Sequence, residues 1–418
     1  MSIRRYLIHV GAATALLASV LVAVNVTVDS FDVFALVRGK MVNVRLATAL
    51  RMAKAYAIHT YRPDCLVLGS SRAEVGIRPA HGGWSCDRPY NSGLPAGQIY
   101  EARRYLEHAI AQGPVKQVLL GLDLEIFRTD GRHRGDFMEA RLAHNSKARW
   151  SSYPVNELLG LALGADALLK SIDMLRNPVE VYALELSGER STAWWEHESA
   201  GRSVRDLSAD LLQGVATQIG KPGALAPGLD DRLPSLEELE RIIELCREHG
   251  IELRLAINPT HVLLHATMAD IGQQGTFLKW KRAIVQIAAR AHSRGADVLL
   301  WDFALLNDLT TEPVPKVADR SQLMHWFWEP SHFRTAYGNL MVETIYSNRP
   351  TPVEIAVRPD VATISESERV YRVEFERWMH NHPAEIAAVK NWLAPTRKKY
   401  GIESGIENWH TENVNPGD

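Results

Sequence analysis

Cysteine is nearly absent. The 418 residues contain three, Cys65, Cys86 and Cys246, too few and too scattered for a zinc site or a disulfide scaffold. Neither sign of charge prevails, with 47 Lys and Arg against 49 Asp and Glu and a formal net charge of -2. No long basic run occurs, which excludes the concentrated positive surface that a nucleic-acid partner requires. The histidines His144, His197, His261 and His265 lack a ligand spacing, so no metal and no cofactor is expected. Long hydrophobic runs are also scarce. The one present extends from about Tyr6 to Val28, close to the ~20 residues that cross a bilayer as a helix.

That run follows Arg4 and Arg5 and precedes Asp29 and Asp32, with His9 and Asn25 near its ends and no charge in its middle. It is long for a signal peptide, and no clean small-x-small cleavage site follows it. An uncleaved anchor over residues 1–30 is therefore expected, with the basic end cytoplasmic and the remaining chain on the other side. In an oxidising compartment Cys65 and Cys86 would bridge if the strands they adjoin are neighbours, and would otherwise be buried free thiols.

The composition, 46% hydrophobic and 23% charged, is that of a globular chain. Residues 31–63 show apolar residues at helical spacing among Arg and Lys, which predicts a juxtamembrane amphipathic helix with a basic face for anionic lipid. From residue 64 short apolar runs alternate with helical stretches, the pattern of βαβ units and a parallel sheet. Strands are predicted at 65–69, 87–91, 115–123, 251–258 and 296–303. GQIYEARRYLEHAIAQG and SLEELERIIELCREHG each end in a glycine suited to a left-handed cap, and Ser235 with Glu238 predicts a capping box. Residues 128–233 carry no strand-helix rhythm. They read as a helical insertion, with NELLGLALGADALLKSIDML as its clearest helix, placed to form a lid, a substrate wall or a structural cap. Beyond 349 a tail of two Pro-punctuated polar helices is expected.

The stretch DCLVLGSSRAEVGI ends a greasy strand in a glycine and two hydroxyls. Gly69 permits the tight turn that lifts Ser70, Ser71 and Arg72 out of the sheet. A serine becomes a nucleophile only with a base in reach and a carboxylate to orient that base, and HWFWEPSHFRTAYGNLM places Glu329 three residues before His332. The duller readings are that the serines cap a turn and that Arg72 is an ion-pair residue. Asn258 and His261 end the fourth strand and would face the same crevice, or cap a helix. Trp194, Trp195, Trp326 and Trp328 would stack on sugar rings or pack in a core.

Together these segments resemble the SGNH or GDSL hydrolase superfamily. Gly69-Ser70-Ser71 is similar to its first block, with Ser71 at the nucleophile, and Glu329-Pro330-Ser331-His332 to its last, with glutamate replacing aspartate. PYNSGLPAGQIYEA is similar to the second block, which gives Gly93 the role of oxyanion donor beside the Ser71 N–H. The third block departs: Gly121-Leu122-Asp123 carries an acid where the family has an asparagine donor. Asp123 would then point away, be protonated, or leave the role to Asn91 or Arg72.

The resemblance covers about residues 64–348 and is closest to membrane-tethered proteins of bacterial envelope polysaccharide and teichoic-acid acylation. It implies a flavodoxin-like three-layer α/β/α sandwich, single-pass in the inner membrane, with its domain in the periplasm or outside the cell. It also implies an acyl donor and a glycan acceptor or substrate as partners, and a membrane-bound acyltransferase beside them. The implied activity is that of an esterase or O-acyltransferase with a Ser71-His332-Glu329 triad. The rival is a non-catalytic scaffold of the same descent that binds a glycan or a protein.

Overall fold

The computed structural model describes residues 2–34, 49–129, 135–143, 152–176, 184–228, 232–315, 321–347 and 354–406. His144 and residues 35–48 of the expected juxtamembrane helix lie outside them. The long apolar run forms α1 (Ile3–Val28), whose most apolar 18 residues have a mean hydropathy of 2.2 and are not buried. It is long and apolar enough to cross a membrane.

The described part of the juxtamembrane segment, α2 (Leu50–Tyr61), corrects the expectation of a lipid-facing basic surface. Arg51 and Lys54 are buried. Arg51 makes a two-pronged ion pair with Glu101, both contacts 2.9 Å, and reaches Asp136 at 3.3 Å. Lys54 donates to the Gly93 carbonyl and lies 3.6 Å from Glu74. The cations of this helix meet acids inside the protein, where a buried charge must find a partner.

Five parallel strands make the sheet: β1 (Cys65–Leu68), β2 (Pro89–Asn91), β3 (Gln117–Leu122), β4 (Glu252–Ile257) and β5 (Val298–Asp302), in spatial order 2-1-3-4-5. All five lie within the predicted runs. The register pairs Cys65 with both Pro89 and Gln117, Gln117 with Glu252, and Leu253 with Val298. Because β1 and β2 are neighbours, Cys65 and Cys86 come to a Cα separation of 6.1 Å and form a disulfide, leaving Cys246 buried and free.

Alternate strand residues face opposite layers. Leu66, Leu68, Val118 and Leu120 join one core, and Val67 and Leu119 the other. The second core is closed by α3 (Ser71–Gly76) and α12 (Thr335–Tyr346), through Ala73, Ile77, Met341 and Val342. The first is closed by α2, α4 (Ile99–Gln112), α9 (Leu236–His249), α10 (Val262–Asp270) and α11 (Gln274–Ser293). The tail helices α13 (Ile364–Asn381) and α14 (Pro383–Tyr400) join that same core through Phe375, Val389 and Leu393. A bridge from Val357 to Asp302 ties the segment before them to β5.

Three local expectations are corrected. Gly250 ends α9 in the left-handed region at φ 63°, but Gly113 after α4 is extended at φ 175°, because Pro114 restricts the residue before it. Ser235 has helical backbone angles and donates its hydroxyl to the Phe127 carbonyl, while Glu238 pairs with Arg103 and Arg241, so that capping box does not form. The clearest helix of the insertion is two, α5 (Ser152–Leu163) and α6 (Ala165–Arg176). At the break, a Cβ on Gly164 would lie 2.6 Å from the Gly160 carbonyl oxygen, a turn that needs glycine. The insertion continues as α7 (Thr192–Ser199) and α8 (Val204–Ile219).

Candidate active site

Gly69 leaves β1 at φ +139°, and a Cβ there would lie 2.7 Å from the Gly121 carbonyl oxygen, so the turn and the close approach of β3 both require glycine. Ser70 then caps α3, its hydroxyl accepting the Arg72 N–H at 3.1 Å. That leaves Ser71 as the first helical residue, partly exposed, with its hydroxyl at the mouth of the strand. The two serines thus divide the work: Ser70 satisfies backbone, and Ser71 is available for chemistry. Among the described residues, the Ser71 N–H meets no acceptor.

The partners of Ser71 come from a two-stranded antiparallel hairpin, β6 (Phe327–Glu329) and β7 (His332–Phe333), in which Glu329 and His332 are cross-strand partners. Pro330 and Ser331 make its turn. His332 Nε2 lies 2.8 Å from Ser71 Oγ, and Nδ1 contacts Glu329 Oε1. Glu329 is fully buried and is oriented by Ser331, whose N–H and hydroxyl donate to its two oxygens at 2.7 and 2.9 Å. An acceptor carboxylate on Nδ1 favours the tautomer with the proton there, which turns the Nε2 lone pair toward Ser71. The Trp195 ring covers this imidazole, with centroids 5.1 Å apart.

Asp123 turns away from Ser71. Its Oδ1 accepts from Arg72 at 2.8 Å and from the Asn258 amide at 3.0 Å, and its Oδ2 accepts from Ser70 Oγ. The second nitrogen of the Arg72 guanidinium holds Glu125 at 2.6 Å. Burial works against the Arg72 charge, yet Asp123 and Glu125 hold its pKa above the ordinary arginine value. Arg72 therefore is the ion-pair residue of the duller reading, committed to two acids rather than open to an oxyanion.

The other oxyanion candidates are also committed. Asn91 donates to the Ala73 and Ile77 carbonyls at 2.9 and 2.8 Å, and accepts the Gly93 N–H at 2.8 Å. The Gly93 N–H thus lacks the free direction its expected role needs. The glycine is required instead by packing, since a Cβ would lie 2.7 Å from the Glu74 backbone nitrogen. Below it, Glu74 binds Arg190 through both oxygens at 3.0 Å. Burial, only partly opposed by Glu74, lowers the Lys54 pKa to about 8.

A cavity of about 340 Å³ opens in front of Ser71 and His332. It is lined by Leu50, Arg51, Pro95 and Ala96 and by Leu211, Gly214, Val215 and Gln218 of α8, so the insertion supplies part of its wall. Arg72, Glu125, Arg190 and Trp195 also line it. Asn258 sits behind Asp123. His261 caps α10, accepting the Leu263 N–H while its other nitrogen donates to the Glu312 carbonyl. Trp328 is buried with Arg334 over its ring at 3.9 Å, and Trp326 packs on the second core.

Glu74, Glu125, Arg190 and Ser331 were given no role in the sequence reading. Ser331 alone carried a signal, lying inside the Glu329–His332 motif; the others are brought in by tertiary pairing. Compared with known proteins, the sequence matches no family model, and no curated protein is significantly similar to it.

Proposed function

We propose that this chain is a membrane-anchored, SGNH-type serine esterase or O-acyltransferase acting outside the cytoplasm on an envelope polysaccharide. One observation carries the reading: a strand-end hydroxyl 2.8 Å from an imidazole whose far nitrogen is held by a buried carboxylate. Ser71 Oγ attacks the ester carbonyl carbon as its proton passes to His332 Nε2. Glu329 holds the Nδ1 proton and stabilises the imidazolium. The Ser71 N–H, which meets no acceptor among the described residues, donates to the developing oxyanion. His332 returns the proton to the departing alcohol oxygen, leaving an acyl group on Ser71. Water or a glycan hydroxyl, deprotonated by the same imidazole, then takes it.

The disulfide supports an oxidising location, and α1 supports attachment to the membrane. The acyl donor, the glycan and a membrane-bound acyltransferase are the partners this reading calls for. Its test is a fluorophosphonate probe on the purified chain. Labelling of the native protein that disappears in Ser71→Ala supports the reading; a folded native protein that takes no label refutes it in favour of a binding scaffold.

A further inference from the structure

Apolar side chains left in solvent collect in two places. Of the large hydrophobic residues that are exposed among those described, eight lie on α1 and five on the hairpin α5–α6. On α5 they are Val155, Leu159 and Leu163, 52, 54 and 51% exposed, spaced four apart and so forming one stripe along one face. Its only ionisable acid, Glu157, faces inward, accepting from Tyr56 at 2.7 Å and from Arg141 at 2.7 and 2.6 Å. The outer face of α5 therefore carries no charge. On α6, Leu169 is exposed too, but with exposed Asp166 one turn before it, and Lys170 places its ammonium 4.3 Å from the Phe31 ring just beyond α1.

The hairpin is fastened to α1 at a defined level. Asn25, buried near the end of α1, donates its amide to the carbonyls of Leu161, Ala162 and Gly164 at 3.2, 3.0 and 3.1 Å, satisfying groups that the end of α5 would otherwise leave orphaned. About 20 residues separate Arg5 from Asn25, which at ~1.5 Å per residue is ~30 Å, the thickness of a bilayer's hydrocarbon. With Arg5 at one interface, Asn25 and the end of α5 fall at the other. From Ala18 onward α1 is itself partly covered, and it packs against both α5 and α6. An uncharged apolar face at that depth, continuous with a helix that crosses the bilayer, meets acyl chains.

We propose that α5–α6 is a second membrane element, a helical hairpin that seats the Val155, Leu159 and Leu163 face of α5 in the leaflet where α1 emerges. The proposal rests on reading α1 as a membrane span. Its polar side links that leaflet to the cavity: Glu157 holds Arg141, which donates to the Asp136 carbonyl at 2.9 Å, and Asp136 lines the cavity.

The test uses the full chain in liposomes, with one cysteine introduced at a time and labelled with an environment-sensitive fluorophore. Cys246 is buried and the other two native cysteines are bonded, so the new thiol is the one that reacts. Labels at Leu159→Cys and Leu163→Cys are expected to shift to the blue and to lose fluorescence to a nitroxide carried high on the lipid acyl chain. Leu16→Cys in α1, near the bilayer centre, should shift likewise and lose fluorescence to a nitroxide carried low on the acyl chain, and exposed Leu186→Cys should respond only to aqueous iodide. If Leu16 is quenched by lipid but Leu159 and Leu163 only by iodide, the hairpin proposal is wrong and the anchor stands. Shielding of Leu159 and Leu163 from both quenchers means that protein covers the face, which also overturns the proposal. Failure of lipid to quench Leu16 removes the anchor and the hairpin together.

Discussion

Ser71 Oγ and His332 Nε2 stand 2.8 Å apart although 261 positions separate them in the chain. One belongs to a helix start behind β1, the other to a two-residue strand whose partner carries Glu329. The cross-strand pairing makes Glu329 a positioning residue for the imidazole, and Glu329→Gln should expose that role. An amide has no charge to stabilise imidazolium and can present an N–H to Nδ1, reversing the tautomer. Fluorophosphonate labelling of Ser71 is expected to slow by about 10³–10⁴-fold, while Glu329→Asp recovers part of the loss. Equal labelling rates in Glu329→Gln and the native chain would contradict the arrangement.

Asp123, where the resemblance led us to expect an asparagine, is tied to Arg72, Asn258 and Ser70. A neutral side chain there leaves the buried Arg72 with Glu125 alone. Restoring the expected residue, Asp123→Asn, should therefore lower stability, by about 3–5 kcal/mol as when one partner of a buried ion pair is removed, and should not raise activity. Urea unfolding of the variant beside the native protein measures this. A variant as stable as the native protein would mean that Glu125 suffices for Arg72.

The sheet was legible because buried parallel strands leave short apolar runs between helical ones, and each of the five runs became a strand. The meeting of Ser71 with His332 was legible for a local reason: a glycine-serine turn and a Glu-x-x-His spacing both act over a few residues. Part of what failed depended on distant partners. Lys54 and Arg51 read as a lipid-facing surface because Glu74, Glu101 and Asp136, which bury them, lie far along the chain. Gly93 read as an oxyanion donor although its acceptor is local, the Asn91 side chain two residues earlier taking its N–H in an Asx turn. Gly113 misled although the signal was adjacent, in Pro114.

Two buried histidines away from Ser71 give the protein an acid limit. Burial lowers the pKa of His261 and of His108 to about 4 from the ordinary 6.5. Each uses Nδ1 to accept a backbone N–H, from Leu263 and from Ala143, an acceptor that protonation would destroy. The unfolded chain binds protons at these sites below pH 6.5 while the folded chain does not, so stability is full above that value. It falls as the pH drops toward about 4, by on the order of 3 kcal/mol for each histidine. Urea midpoints measured across that window should decline, and His108→Gln should flatten the decline. A midpoint independent of pH over the window would refute the assignment.

The disulfide should matter to Ser71 as well as to stability. Cys65 and Cys86 close a loop over 21 positions, which in the chain-entropy account contributes about 3 kcal/mol. The loop also pins β2, an edge strand of three residues whose Asn91 donates to the Ala73 and Ile77 carbonyls at the end of α3. α3 begins with Ser71, and the same asparagine fixes Gly93. Reduction frees β2 to fray, and with it the bracket that holds the helix of Ser71. The dithiothreitol-treated protein is expected to unfold at a lower temperature and to label more slowly with fluorophosphonate at temperatures where it is still folded. Cys65→Ala/Cys86→Ala should behave in the same way without reductant, whereas Cys246→Ser should keep the native response to it. Loss of stability with an unchanged labelling rate would show that β2 does not position Ser71.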